Sequence, residues 1–107
     1  MPNNACIFCQ IAAKTLPAKA VYEDEQVLAF HDIHPKAPVH LLLIPKKHIK
    51  SLMEVESSDA SLISHLLLQL PILAKAQGLH EGFRTHIYTG RKGGQEIDHL
   101  HFHLLGE

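Results

Sequence analysis

Three histidines alternate with bulky apolar residues close to the end of the 107-residue chain. His99, His101 and His103 occupy every second position of the stretch HLHFHLL. In an extended strand, side chains two positions apart point to the same face, and their Cα atoms lie about 6.7 Å apart. The spacing therefore predicts a strand over residues 98–105, with three imidazoles on one face and apolar side chains on the other.

The histidine face needs a chemical explanation, because a solvated strand face is built more easily from threonine, lysine or glutamate. The chain has ten histidines and no tryptophan. Histidine has a pKa of about 6.5, and its neutral form binds metals or acts as a base or nucleophile. The pattern is typical of two kinds of site: three histidines holding a catalytic zinc ion, or one nucleophilic imidazole whose neighbours position an anionic substrate. The spacing alone does not distinguish them.

Length and composition exclude several classes of protein. We treat residues 1–107 as a single domain, because this length is common for one domain. A net charge of -1 and a pI of about 6.8 give no overall basic field for nucleic acid or an anionic membrane. No apolar run is long enough to cross a bilayer, and the segment MPNNACIFCQIAAK lacks the basic and apolar regions of a signal peptide. Two cysteines do not suggest a disulfide framework, so we expect a cytoplasmic protein.

The rest of the chain alternates short β-rich segments with helical ones. Runs of β-branched and aromatic residues joined by turn residues predict an antiparallel sheet of about five strands, and hence an α+β fold. The apolar periodicity of segment 57–78, which ends at Gly78, predicts one long helix. The predicted elements are a short helix over CIFCQIAAK, a hairpin of KAVYE and VLAFHD, a central strand over 39–45, the long helix over 57–78, and strands over 83–89 and 98–105.

A glycine-rich loop, GRKGG at residues 90–94, precedes the histidine strand. Glycines leave backbone N–H groups open to a ligand, and such groups cradle anions. Glycine-rich loops are common, and an ordinary hairpin turn would account for this one alone. Its position next to three histidines favours a phosphate-accepting site.

Three segments resemble the nucleotide-binding branch of the histidine triad (HIT) family, whose signature is His-x-His-x-His-x-x with apolar x. They are IFCQI (7–11), FHDIHPKAPVHLLLIPKKHI (30–49) and GGQEIDHLHFHLLG (93–106). The likeness covers nearly the whole chain. It implies a HIT-like fold with a five-stranded antiparallel sheet, one long and one short helix, and a homodimer in which two sheets join into one continuous sheet.

The resemblance implies a purine nucleoside phosphoramidase, or a nucleotide hydrolase or transferase, that acts at the α-phosphate of AMP conjugates. His101, the middle histidine of the motif, would attack phosphorus and form a nucleotidyl-histidine that water then hydrolyses. His103 would contact the phosphate oxygens, and His40 matches a further family histidine beside the site. The remaining residues that the likeness assigns to the phosphate or the leaving amine are Gly94, Gln95 and Glu96.

The likeness also assigns residues to the nucleotide. Asp32 matches the acid that binds the ribose, although the local sequence by itself favours a turn-capping aspartate before HPKAP. Five apolar residues match the lining of the base pocket, and singly they would be interpreted as core: Ile7, Phe8, Ile11, Phe30 and Ile33. Tyr88 stands where relatives usually have asparagine near the phosphate, which predicts altered specificity or turnover. If Tyr88 prevents catalysis at the site, the chain is a non-catalytic nucleotide-binding protein.

Cys6 and Cys9 form a Cys-x-x-Cys pair, whose spacing lets both sulfurs reach one metal ion. The pair alone is half a site, and two reduced cysteines without a metal are the alternative. Some bacterial HIT proteins complete a structural zinc site with two histidines, which match His48 and His99. The resemblance therefore implies a four-residue zinc site that leaves His101 free, with no metal required for the chemistry.

Overall fold

Two α-helices and five strands make up the fold of residues 5–107, which a computed structural model describes. The strands are β1 Ala20–Glu23, β2 Val27–His31, β3 Val39–Pro45, β4 Arg84–His86 and β5 Phe102–Gly106. The helices are α1 Ile7–Ala12 and α2 Ala60–Ala76, with short 3-10 turns at Leu52–Glu54, Ser57–Asp59 and Arg91–Gly93. The first four residues of the segment MPNNACIFCQIAAK lie outside the described residues. No helix in residues 5–107 has both the length and the apolar character needed to cross a bilayer.

All five strands pair in antiparallel fashion, in the order β1-β2-β3-β5-β4. This arrangement confirms the predicted α+β class, the hairpin of β1 and β2, and the central position of β3. A central strand with both faces covered is almost entirely apolar, and β3 has that character in the sequence VHLLLIP. The continuous sheet of a dimer stays a prediction.

Alternate residues of β3 face two different buried clusters. Leu41 and Leu43 belong to the same cluster as Leu66 of α2. Leu42 and Ile44 belong to a second cluster, which includes the buried residues of α1. Burying a side chain of this size contributes about 1.5 to 3 kcal/mol of transfer free energy. The sheet is therefore covered by α2 on one face and by α1 on the other.

The long helix is shorter than the predicted segment 57–78 at both ends. A 3-10 turn precedes α2, and there the side chains of Glu56 and Asp59 each accept the other's backbone N–H. Gly78 follows the helix with a φ of 85°, which ends it as glycine commonly does. Leu67 belongs to the apolar periodicity of this segment, but it is exposed.

The last strand is also shorter than predicted, because β5 covers Phe102–Gly106 instead of 98–105. Only His103 of the three histidines lies in the strand. The backbone N–H groups before it bond elsewhere, since His99 donates to Ile97 and Leu100 donates to Ile49. The alternation of the two faces nevertheless persists. Leu100, Phe102 and Leu104 lie in the cluster under α2. His99 points to the other face, where its ring contacts Phe8 of α1. The strand predicted over 83–89 shrinks to the three residues of β4.

Candidate functional site

His101 is held in one tautomer by the backbone that precedes it. Its Nδ1 lies 2.6 Å from the carbonyl oxygen of His99. A carbonyl only accepts hydrogen bonds, so Nδ1 carries the proton and Nε2 keeps its lone pair. Burial lowers the pKa of His101 below its usual value. The ring is therefore neutral at pH 7, with a free nitrogen lone pair, which is the form that a nucleophile needs.

His103 sits at the end of a chain of hydrogen bonds that gives it the opposite tautomer. The backbone N–H of Lys36 donates to Nδ1 of His40, so the proton of His40 is on Nε2. That Nε2 lies 3.0 Å from Nδ1 of His103 and 3.4 Å from a carboxylate oxygen of Asp32. Because His103 accepts at Nδ1, its own proton is on Nε2, where it can donate to an anion. Burial, together with the neighbouring His101 and His40, lowers the pKa of His103 to about 4.

The two rings of this pair are close enough to act on one group. The ring centroids of His101 and His103 are 5.0 Å apart. One ring presents a lone pair and the other presents an N–H donor. An electrophile with a negatively charged oxygen suits such a pair, because attack and charge stabilisation occur side by side.

Tyr88 also lies beside His103, with ring centroids 5.4 Å apart. Its hydroxyl lies 2.9 Å from Nδ1 of His86. The position that a Cβ on Gly94 would occupy is 3.6 Å from the Tyr88 ring, so the ring also borders the glycine-rich loop. His86 carries no motif in the sequence. Only the register of β4 on β5, which places His86 opposite His103, brings it to the site.

The side chain of Gln95 holds the glycine-rich loop together. Its amide group donates to the carbonyls of Lys50 and Ile97 at 2.7 and 2.8 Å. Its amide oxygen accepts from the backbone N–H of Gly90 at 2.8 Å. Gln95 thus uses its hydrogen bonds within the protein, and its predicted contact with a phosphoryl group stays a prediction. The side chain of Glu96 is exposed beside it.

The residues predicted to line a base pocket differ in exposure. Phe8 and Phe30 are buried and meet edge to face, with ring centroids 5.7 Å apart. Ile11 is partly buried beside them. Ile7 and Ile33 are 50% and 84% exposed, so they are free to contact a ligand. Phe8 also lies beside His101, with ring centroids 5.1 Å apart, so the phenylalanine pair adjoins the histidines.

Asp32 makes the turn-capping bond that the local sequence favours, and its assignment to the ribose stays a prediction. One carboxylate oxygen accepts the backbone N–H of His34 at 2.8 Å, which is the turn-capping bond. The other oxygen lies beside His40 and is partly exposed. A carboxylate oxygen at the rim of the histidine pair can still accept a hydroxyl group from a ligand.

Four side chains converge where the sequence predicts a metal. Cys6, Cys9, His48 and His99 each offer one ligand atom, and these atoms lie within 4.8 Å of one another. The Nδ1 atom of His99 lies 3.3 Å from the sulfur of Cys6, 3.6 Å from that of Cys9 and 3.2 Å from Nδ1 of His48. A tetrahedron with Zn–S of about 2.3 Å and Zn–N of about 2.0 Å separates its ligand atoms by about 3.3 to 3.8 Å. The observed separations fit those of a metal site.

The protonation state of His99 also fits a metal ligand. Its Nε2 lies 2.8 Å from the carbonyl oxygen of Pro45, so Nε2 carries the proton and donates it. Nδ1 therefore presents a lone pair to the two cysteines and to His48. A backbone carbonyl that holds the far nitrogen is the usual partner of a metal-bound histidine.

The three histidines of the motif do not share one metal site. Within residues 5–107, two groups could hold an ion, and neither includes His101. The second group is Asp32, His40 and His103. There, Nε2 of His40 carries a proton because Nδ1 accepts from Lys36, so His40 offers no lone pair to an ion and instead donates to its neighbours. The geometry favours a hydrogen-bond relay in the second group and a metal ion only in the first.

A family model described as scavenger mRNA decapping enzyme C-terminal binding matches residues 5–107. Protein HitA of Neisseria gonorrhoeae is 52% identical over 101 residues, which cover 94% of each chain. The chain belongs to the histidine triad family. A HIT family hydrolase of Legionella pneumophila superposes with a TM-score of 0.92 at 48% identity, covering 94% of this chain and 91% of that one. A histidine triad nucleotide-binding protein of Candida albicans superposes with a TM-score of 0.85 at 33% identity, covering 92% of this HIT chain and 72% of its own.

Proposed function

We propose that this HIT protein is a nucleoside phosphoramidase-type hydrolase that releases AMP from conjugates with a phosphorus–nitrogen bond. One observation carries the proposal: the rings of His101, with an unprotonated Nε2, and His103, with an N–H donor, have centroids 5.0 Å apart. A neutral nucleophile beside a fixed donor suits attack on a charged phosphoryl group. The description of the Legionella relative as a hydrolase and of the Candida relative as nucleotide-binding supports the same class.

The reaction has two displacements at phosphorus. In the first, Nε2 of His101 bonds to the α-phosphorus while the P–N bond to the amine breaks. The amine leaves with the electron pair of that bond and takes up a proton, which we assign to the exposed Glu96 carboxyl. In the second, water attacks phosphorus, the bond to His101 breaks, and AMP and a proton are released. His103 donates a hydrogen bond to a phosphate oxygen in both steps.

The nucleotide lies along the surface between α1 and β2. The base packs on Ile7 and Ile33, which are exposed, near the buried Phe8 and Phe30. The outward oxygen of Asp32 accepts hydroxyl groups of the ribose. The glycine-rich loop borders Tyr88 through Gly94, but the N–H groups of Gly90, Gly93, Gly94 and Gln95 already donate within the loop. The phosphate is therefore held by the ring N–H group of His103 and not by these backbone groups.

The four-residue metal site holds a structural zinc ion in this proposal. Two thiolates and two neutral imidazoles suit Zn²⁺, and four protein ligands leave no open position for water. The ion would tie α1, through Cys6 and Cys9, to the segments that carry His48 and His99. Thiolate ligands of this kind persist in a reducing compartment, which supports a cytoplasmic location.

The protein works as a homodimer in this proposal. Leu68 and Ile72 on the outer side of α2 are 66% and 57% exposed, and Leu67 lies next to them. An exposed apolar patch of this kind marks an interaction surface. β4 is an edge strand of the sheet, so a second copy could continue the sheet while its helix covers the patch.

The test is hydrolysis of adenosine 5'-phosphoramidate by three purified proteins. We expect turnover by the natural chain and by His65→Ala, whose site pairs with Asp24 away from the nucleophile. We expect no measurable turnover by His101→Ala with an unchanged circular dichroism spectrum. Retained turnover by a folded His101→Ala protein contradicts the proposal. If the natural chain binds AMP but does not hydrolyse the phosphoramidate, the chain is a non-catalytic nucleotide-binding protein.

A further inference from the structure

We propose that the metal site and the nucleotide site form one linked unit, so that metal and nucleotide each raise the affinity for the other. The proposal rests on the proposed function, since it takes His101 as the nucleophile and the four-residue site as the metal site. It goes beyond a structural role for the metal. Two separate routes of contact connect the sites.

The first route is a single residue that serves both sites. The side chain of His99 faces the cysteines through Nδ1, and its backbone carbonyl accepts the Nδ1 proton of His101. The same side chain is anchored on the far side to the carbonyl of Pro45. His99 is fully buried, so its ring cannot turn without moving the backbone around it. A metal that fixes the His99 ring therefore also fixes the His99 carbonyl, which sets the tautomer of His101.

The second route runs through the short helix α1. Cys6 caps this helix, accepting the backbone N–H of Cys9, and Cys9 lies inside it, so a metal held by both fixes the helix in place. Phe8 lies between them and packs edge to face against two rings. Its centroid is 5.8 Å from that of His99 and 5.1 Å from that of His101. Ile7, one of the exposed residues proposed to carry the base, is the neighbour of Phe8.

The lone pairs of the four ligand atoms explain how a metal ion would fix the positions of His99 and α1. Nδ1 of His99 carries no proton and lies 3.2 Å from Nδ1 of His48, with two sulfurs nearby. Without an ion, only protons on the thiols or on His48 can bridge these atoms, as hydrogen bonds between pairs of them. A metal ion bonds to all four atoms at once, so without it His48, His99 and α1 lose the bonds that join them to one centre. The nucleophile and the base surface then lose their fixed positions.

Linkage makes the prediction reciprocal: if the metal strengthens AMP binding by some factor, AMP strengthens metal binding by the same factor. The experiment measures the Zn²⁺ affinity of the intact natural chain by competition with a chromophoric chelator, with and without saturating AMP. We expect AMP to raise the Zn²⁺ affinity by at least about fivefold, the lower end of typical coupling between sites. An unchanged Zn²⁺ affinity in the presence of bound AMP overturns the proposal.

Two variants separate the linkage from a merely structural metal. We expect Phe8→Leu to bind Zn²⁺ with nearly the natural affinity and to lose part of the effect of AMP, because its ring contacts are gone while the bond from His101 to the His99 carbonyl remains. We expect the control His65→Ala to keep the full effect. A Phe8→Leu protein that keeps the full effect overturns the route through α1. If the natural chain binds no AMP at all, the proposed function fails instead, and calorimetric titration with AMP reports that outcome separately.

Discussion

Nδ1 of His101 lies 2.6 Å from the carbonyl oxygen of His99, and that one contact decides which nitrogen of the ring can react. Nδ1 of His101 donates its proton to this carbonyl, so Nε2 is the nitrogen with the lone pair. In His103, Nδ1 accepts a hydrogen bond from His40, so the proton is on Nε2. Two imidazoles of one motif therefore have different chemical roles, which their identical side chains do not reveal.

The hydrogen bond from His40 to His103 should be needed for fast turnover. We expect His40→Ala to lower kcat by about 10- to 100-fold, because loss of a buried hydrogen bond costs about 1 to 3 kcal/mol and each 1.4 kcal/mol is a factor of ten. His40→Gln retains an amide N–H near the position of Nε2 and should recover part of the rate. Steady-state kinetics with adenosine 5'-phosphoramidate measures both. Equal rates for His40→Ala and the natural chain would show that the relay has no role.

Stability should rise with pH through the mildly acidic range because of His103. Burial and the neighbouring His101 and His40 lower the pKa of His103 to about 4 from an ordinary 6.5. Between these values the unfolded chain binds more protons than the folded one, so the free energy of unfolding increases with pH there and levels off above about 6.5. Urea unfolding from pH 4 to pH 8 measures the slope. We expect His103→Asn to have a smaller slope, and an identical slope would mean that the pH dependence does not originate at His103.

The exposed apolar patch on α2 should hold the proposed dimer together. We expect Leu68→Asp combined with Ile72→Asp to give a monomer, because two charges would be buried in the interface without partners. Lys75→Asp, an exposed substitution near the end of the same helix, should leave the dimer intact. Sedimentation equilibrium reports the mass of each. A natural chain that sediments as a monomer would contradict the dimer directly.

Tyr88 should restrict the size of the leaving amine. Its ring packs on His103 and borders Gly94, so we expect Tyr88→Asn to increase kcat/KM for bulky amines relative to small ones. Tyr88→Phe keeps the ring and loses only the hydroxyl near His86, and it should keep the natural preference. Competition between two AMP conjugates of different amine size measures the ratio. The same ratio in all three proteins would mean that the ring does not border the amine.

Features that depend on local pattern were predictable from the sequence. The central position of β3 follows from its apolar run, and the separation of Leu100 from the histidines follows from their alternation. The convergence of Cys6 and Cys9 with His48 and His99 came from the family likeness, because spacing predicted only half of that site.

Features that depend on the register of distant strands were not predictable. Strand β5 begins at Phe102, because before it the N–H group of His99 bonds to Ile97 and that of Leu100 bonds to Ile49. His86 reaches the site only through its pairing opposite His103. The inward bonds of Gln95 depend on Lys50, which is 45 residues away in the chain. No local pattern encodes these contacts.

The most direct test of the proposed mechanism is to trap the covalent intermediate. The natural chain is mixed with an AMP phosphoramidate, quenched at high pH within the first turnover, digested and mapped by mass spectrometry. We predict one adenylyl group on the peptide that contains His101, assigned to that residue by fragmentation, and no adduct in His101→Ala. An adduct on another residue, or steady turnover with no adduct at any quench time, would contradict the mechanism.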